Sequence, residues 1–253
     1  MWLLPHSPLQ ADLAPRLEII AETASTNADL LARVAAGDPP EEGYWLIADR
    51  QTQGRGRQGR RWLDGAGNFM GSTLVELREG DPQAHSLSFA ASLAVYAATS
   101  GNIARPSALQ LKWPNDVLLG GVKFCGILLE RGSTHAVIGI GVNLSGAPRL
   151  AERETIALSQ MGQAPDRDLF AAYLAHAFAR EVELWRRQGL GALLARWQTA
   201  AHQPGTRLSV HTGSDKRVTG TYDGLEPEGA LRLSLDDGSR IVIHAGDVML
   251  EGE

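Results

Sequence analysis

Between Gln51 and Trp62 the chain places Arg55, Arg57, Arg60 and Arg61 among three glycines, Gly54, Gly56 and Gly59. A guanidinium is a permanent cation whose planar fork of donors matches phosphate or carboxylate oxygens. Glycine lets the backbone turn, or approach a ligand, where a side chain would obstruct it. Their alternation describes a loop that clasps an anion and excludes water as it closes. A solvated basic surface loop has the same composition, but two Gly-Arg repeats carry an ordering entropy that no core contact offsets. Gly54, Gly56 and Gly59 also satisfy the dinucleotide fingerprint, which needs a helix directly after the last glycine. Gly65, Gly67 and Asn68 interrupt that stretch instead, and the reading fails. A Walker-type phosphate loop fails too, because Arg60 and Arg61 stand where Lys and Ser or Thr belong.

A second constellation runs Lys112-Trp113-Pro114-Asn115-Asp116 and then Lys123-Phe124-Cys125-Gly126. Proline fixes a turn that Asn and Asp tolerate, so a well-made turn beside a surface lysine also accounts for the first part. Lys123 lies on an apolar strand and must either snorkel outward or meet a buried anion. Ser25, Thr26 and Asn27 sit at a helix start, whose unpaired N–H groups favour an anion or carbonyl, although a plain cap explains Thr26 equally well. Gly139-Ile140-Gly141-Val142-Asn143 would suit close packing beside a flat ring, or a bulged core strand. The histidines show no ligand spacing, so no structural metal is expected, and the single cysteine, Cys125, reads as a small core residue.

The elements that must position these groups follow from periodicity. Strands are expected at Leu17 to Ala21, Tyr44 to Ala48, Phe69 to Leu77, Leu109 to Trp113, Val117 to Leu119, Val122 to Glu130 and His135 to Leu144. Gly120-Gly121 suits a tight hairpin turn. Helices are expected after Thr26, whose spacing to Asp29 is that of a capping box, over His85 to Thr99, over Asp166 to Trp185 and over Leu190 to Ala201. Beyond Pro204-Gly205 short alternating strands around Leu208, Val210, Leu231, Leu233, Leu235, Ile241 and Ile243 form a small β module that leans on the rest. Domains of 1–203 and 204–253 result.

The chain has 253 residues, 43% apolar and 21% charged, with a formal net charge of −5. That is an ordinary globule, and an acidic balance without a basic recognition helix argues against a DNA partner. No apolar run approaches the ~20 residues of a membrane span. Met1 to Gln10 lacks a basic start and is broken by Pro5 and Pro8, so it does not read as a secretory signal. A cytoplasmic location is expected.

Taken together, Ser25-Thr26-Asn27, the Gly54 to Arg60 loop, Lys112 to Asp116, Lys123 to Leu128 and Gly141 to Asn143 resemble biotin–protein ligases in content and order. The resemblance covers nearly the whole chain, and the arginine loop with Lys-Trp-Pro-Asn-Asp carries it. It implies an α+β fold, a mixed sheet with flanking helices of the class II synthetase-like biotin/lipoate ligase type, followed by a small C-terminal SH3-like β-barrel. Ser25 stands too early for the DNA-binding domain that some relatives carry, which implies the monofunctional form. Lipoate or octanoate transfer is the alternative, although the Arg-Arg-Gly-Gly-x-x-x-His pattern usual there is absent.

The resemblance also implies roles. Biotin and ATP are the substrates with Mg²⁺ as the ion, and the biotin carboxyl carrier protein of acetyl-CoA carboxylase is the acceptor, with the enzyme a monomer or weak homodimer. Arg57 and Lys123 neutralise phosphate and carboxylate, Arg55 orders the closed loop, and Asp116 serves as base or guide for the acceptor lysine. Ser25, Thr26 and Gln51 bond biotin's ureido ring beside Asn27, Gly126 lines the pocket, Gly54 gives a backbone contact and Leu74 faces the tail. Lys112 and Asn115 contact the nucleotide, Asn143 the adenine surroundings, and Trp62 shields the adenylate.

Overall fold

The computed structural model describes residues 15–63, 65–149, 154–212 and 216–250; the Met1 to Gln10 stretch lies outside them. Seven strands form one mixed sheet: β1 (Arg16–Thr23), β2 (Tyr44–Gln51), β3 (Phe69–Glu76), β4 (Leu109–Lys112), β5 (Asp116–Leu119), β6 (Val122–Arg131) and β7 (His135–Val142). Their order is β1-β2-β3-β7-β6-β5-β4. Only β1 and β2 run parallel; every other neighbour is antiparallel. Gly120 and Gly121, with φ of 62° and 86°, make the tight β5–β6 turn, since two successive left-handed residues match the twist of the strands.

The two faces of this sheet are covered differently. Helix α1 (Thr26–Ala35) lays Leu30 onto Tyr44, Leu46, Leu74 and Val137, a small cluster on one face. On the other face lie α2 (Leu87–Ser100) and the long α3 (Arg167–Ala200). Helix α2 is apolar on nearly every side, as a helix buried between layers must be. Two buried tryptophans of α3 donate their indole N–H groups to serine hydroxyls at and within α2: Trp185 to Ser86 Oγ, at the residue before the helix, at 2.7 Å and Trp197 to Ser92 Oγ at 2.9 Å. Trp45, Phe69, Phe170 and Phe178 meet edge to face beneath them. Gly189 breaks α3 with φ 75°, so the span is two helical segments, as the apolar pattern anticipates. Leu169, which the helical spacing of apolar residues would place on the buried face, is 61% exposed.

Two expectations need correction. The Thr26–Asp29 capping box does not form: Ser25 is the N-cap, and Thr26 turns its hydroxyl to Gln51 and the buried Ser72 on neighbouring strands. Asp29 instead accepts from Thr23 Oγ1 at 2.5 Å. Nor does the C-terminal part close into an SH3-like barrel. Strands β8 (Arg207–Thr212), β9 (Lys216–Leu225), β10 (Leu231–Ser234), β11 (Arg240–Ile243) and β12 (Asp247–Leu250) form an open sheet in the order β11-β10-β9-β8-β12. The sheet curls enough for residues 244–246 to carry the chain between its two edges. Yet β11 and β12 have four residues each and do not pair, whereas a closed barrel needs a continuous staggered ladder.

This second sheet shares one core with the first: Leu208, Val210, Leu231, Leu233 and Val248 belong to the same buried cluster as the α2 and α3 residues. Trp113 adds a buried hydrogen bond from its indole to Gly229 O at 3.0 Å. The peptide bond Trp113–Pro114 is cis.

Candidate functional site

The residues from Gly54 to Trp62 form a small hairpin. Trp62 N donates to Gly54 O at 2.9 Å and Gly56 N to Arg60 O at 2.7 Å, with Arg55 facing Arg61 across an antiparallel bridge. Gln58 and Gly59, with φ of 56° and 72°, turn the tip, a conformation most side chains avoid. The hairpin arches over the face that α1 occupies, beside the helix start, and encloses a cavity floored by β6 and β7.

At one end of that cavity lies a chain of polar side chains. Gln51 Oε1 accepts from Thr26 N at 2.9 Å and from Thr26 Oγ1 at 3.2 Å. Thr26 Oγ1 lies 2.6 Å from Ser72 Oγ, which donates to Asn27 Oδ1 at 2.6 Å. Asn27 Nδ2 in turn donates to Glu130 Oε2 at 2.8 Å. Ser25, Thr26, Asn27 and Ser72 are all buried, so each polar group needs such a partner. Ser72 and Glu130 escape a reading of the sequence. Ser72 is one polar residue in the apolar strand β3, and its meaning depends on where α1 lands.

At the other end sit the charges. Lys123 Nζ lies 2.5 Å from Asp116 Oδ1, because β5 and β6 are neighbours with an irregular register at Val117–Leu118. Arg57 Nη1 donates to Asn115 Oδ1 at 3.0 Å, and Asn115 Nδ2 donates to Ile127 O at 2.5 Å. Burial lowers the Arg57 guanidinium from its ordinary pKa, with Asp247 and Asp116 opposing that shift. An arginine remains a cation regardless. Arg55 lies 4.0 Å from Glu130. Arg60 is held by Asp247, which the sequence gives no reason to single out.

The floor is glycine for a steric reason. A Cβ on Gly141 would lie 2.3 Å from the indole of Trp62, and one on Gly126 3.1 Å from the same ring and 3.3 Å from Lys123 Nζ. A Cβ on Gly139 would lie 2.4 Å from Asn27 Oδ1. The flat ring that the Gly-x-Gly pattern anticipates is here Trp62. With that indole across the floor, the enclosed space is about 70 Å³, well below the ~300 Å³ of the smallest usual ligand pockets. A ligand ring lying on the Gly126–Gly141 floor therefore displaces the Trp62 indole.

Ser25, Thr26, Asn27, Gln51, Arg55, Arg57, Trp62, Asn115, Asp116, Lys123 and Gly126 are thus brought to one cavity. The other expected residues are placed elsewhere. Gly54 forms the hairpin base, where a Cβ would meet Trp62 O at 2.6 Å. Lys112 is buried on β4 opposite Asp116. Asn143 donates to Ile156 O and holds the segment beside Lys123. Leu74 packs under α1. Burial pushes the Cys125 thiol well up, in keeping with a core residue. Among the described residues, no three of His, Cys, Asp and Glu cluster to hold a metal ion, and no helix is long and apolar enough to cross a membrane.

Comparison with known proteins gives independent findings. Residues 21–143 match the Biotin/lipoate A/B protein ligase family and residues 209–250 the Biotin protein ligase C terminal domain. A biotin–[acetyl-CoA-carboxylase] ligase of Mycobacterium tuberculosis is 38% identical over 239 residues, covering 92% of this chain and 88% of the relative. The ligase of the same description from Paracoccus denitrificans is 37% identical over 245 residues, covering 92% of this chain and all of the relative. Among solved structures, a biotin protein ligase from Aquifex aeolicus in complex with biotin and ATP aligns with a TM-score of 0.79 at 25% identity, over 93% of this chain and 98% of the other.

Proposed function

Since the chain belongs to the biotin protein ligases of the biotin/lipoate A/B protein ligase family, we propose that it makes biotinyl-5'-AMP from biotin and ATP and passes the biotinyl group to a lysine of a biotin carboxyl carrier protein. In the first step a biotin carboxylate oxygen attacks the α-phosphorus, and pyrophosphate leaves. In the second, a neutral lysine amine attacks the acyl carbon, AMP leaves, and one proton is lost from nitrogen. The observation that carries the reading is the convergence of Arg57 and Lys123 on the same enclosed cavity as the Thr26–Gln51–Ser72–Asn27 network.

Two anions must meet in the first step, so fixed cations at the meeting point lower the barrier. Lys123, on a rigid strand, neutralises the carboxylate and the α-phosphate, and Arg57, on the hairpin, follows the charge as the lid closes. The neutral amides and hydroxyls at the far end suit biotin's ureido ring, which offers both donors and an acceptor. Trp62 leaves the glycine floor as biotin enters and then covers the adenylate. Asp116 lies beside Lys123 and serves the second step by accepting the proton of the incoming lysine or guiding that amine. An unperturbed lysine has a pKa of ~10.4 and is almost wholly protonated at pH 7, so a proton acceptor matters there.

Bound to the ATP phosphates, Mg²⁺ would supply charge neutralisation for the departing pyrophosphate; among the described residues no three of His, Cys, Asp and Glu cluster to hold a separate ion. The net charge of −5 favours an enzyme without a DNA partner, and the proposal places it in the cytoplasm as a monomer or weak homodimer. Incubation with ATP, Mg²⁺ and either biotin or lipoate, followed by mass analysis, tests the reading. Biotinyl-adenylate is expected, and lipoyl-adenylate alone would transfer the assignment to lipoate ligation.

A further inference from the structure

Asp247 opens β12 in the second sheet, 187 residues along the chain from the residue it holds. Both of its carboxylate oxygens accept from Arg60 Nη2, at 2.6 and 2.7 Å, and it lines the cavity beneath the hairpin. Arg60 also donates from Nε to Arg57 O at 3.3 Å, while its own carbonyl accepts from Gly56 N. Arg57 in turn reaches Asn115. One line of contacts therefore crosses the lid, from the second sheet through Arg60 and the backbone of Arg57 to the turn before β5. The rest of the hairpin tip, Gln58 and Gly59, is exposed. A charge-assisted contact to a carboxylate fixed on a sheet is what keeps such a tip down.

We propose that Asp247 is a positioning residue for the ligation: acting through Arg60, it latches the arginine hairpin over the cavity, so that the second sheet sets how long the lid stays shut. The consequence for catalysis rests on the ligase reading, but the latch itself is a property of the free chain. Its strength is limited, since the two side chains are 35% and 32% exposed and water screens them. An equilibrium with an open state follows, as a lid that must admit substrate requires.

The test is limited trypsin digestion of the intact protein, because the hairpin itself carries the cleavage sites after Arg55, Arg57, Arg60 and Arg61, which mass analysis distinguishes. Cleavage of a transiently open segment tracks the open population. Asp247→Asn, nearly isosteric, should speed cleavage after Arg55 and Arg57 by roughly fivefold, as loss of about 1 kcal/mol of ion pairing implies. Asp247→Glu should restore most of the protection. Arg60→Asp and Asp247→Arg should each open the hairpin when made singly, and together return it toward the wild-type rate, which a merely structural role for Asp247 would not produce. The same Asp247→Asn protein should release more free adenylate per turnover. Unchanged cleavage in Asp247→Asn, or no recovery in the exchanged pair, overturns the latch. A wild-type protein that forms no adenylate from biotin and ATP would overturn the ligase reading and leave the cleavage comparison standing.

Discussion

Charge balance at single residues sets Arg57 apart from Lys123, Arg60 and Arg55. Lys123 has Asp116, Arg60 has Asp247 and Arg55 has Glu130, whereas Arg57 has the neutral amide of Asn115 and, among the described residues, no carboxylate within ion-pair reach. A half-buried guanidinium without a counter-ion has the most to gain from an incoming anion. Arg57→Gly should therefore still form adenylate but lose it to solvent, seen as released adenylate and labelling of bystander amines; retention equal to wild type would deny the hairpin its role as lid. Lys123→Ala should slow adenylation by roughly 10²–10³-fold, the usual effect of removing one preorganised group that stabilises developing charge, while biotin affinity is largely kept. Equal loss of both would make Lys123 structural. The sequence exposes these two because a lysine in an apolar strand and arginines among glycines are anomalous locally. It does not expose Ser72, Glu130 or Asp247, whose meaning depends on partners brought by folding, in one case from another sheet.

Elements explain why the site has its shape. The strand pattern is legible because alternation and the Gly120-Gly121 turn are local signals, and the break at Gly189 is local for the same reason. The capping box misleads because the N-cap lies one residue earlier, at Ser25, and the Thr26 hydroxyl is engaged by Gln51 and Ser72. Glycine on β7 has a steric test: Gly141→Ala places its Cβ against the Trp62 indole, and the indole, on a movable hairpin, is the group that yields. Adenylate retention should fall while the melting temperature changes little; a large melting shift with intact retention would contradict this. A separate clamp fixes α3 to the sheet, where Arg186 contacts both carboxylate oxygens of Glu42 at 2.5 and 2.7 Å. Burial alone would raise the Glu42 carboxyl, but hydrogen bonds and charge from Arg186 outweigh it and hold the pKa below its ordinary value. A carboxyl depressed on folding stabilises fully above its unfolded value, ~4.3, and loses that contribution as pH falls through the folded value. Glu42→Gln should thus cost roughly 1–2 kcal/mol at pH 7, and the difference in melting temperature from wild type should shrink steadily below pH ~4. A difference independent of pH would contradict the clamp.

Across the whole molecule, the two sheets meet at the site's edge. Trp113, between Lys112 and Pro114 in the motif, spends its indole N–H on Gly229 of the second sheet, so part of that motif is architecture. Trp113→Phe leaves a buried carbonyl unsatisfied and should lower stability by about 1–3 kcal/mol, with faster hydrogen exchange around residues 226–230; unchanged exchange there would contradict the anchor. The alternating pattern of the C-terminal strands is legible, but barrel closure is not, because it depends on whether β11 and β12 are long enough to pair. In the proposed ligation a strand lysine and a hairpin arginine meet around one negative intermediate. A double-mutant cycle measures this directly, using the affinity of a non-hydrolysable biotinyl-adenylate analogue for wild type, Arg57→Ala, Lys123→Ala and the double variant. Groups that contact the same charge should couple by at least ~0.5 kcal/mol; strictly additive losses would mean that they act on separate ligands or not at all.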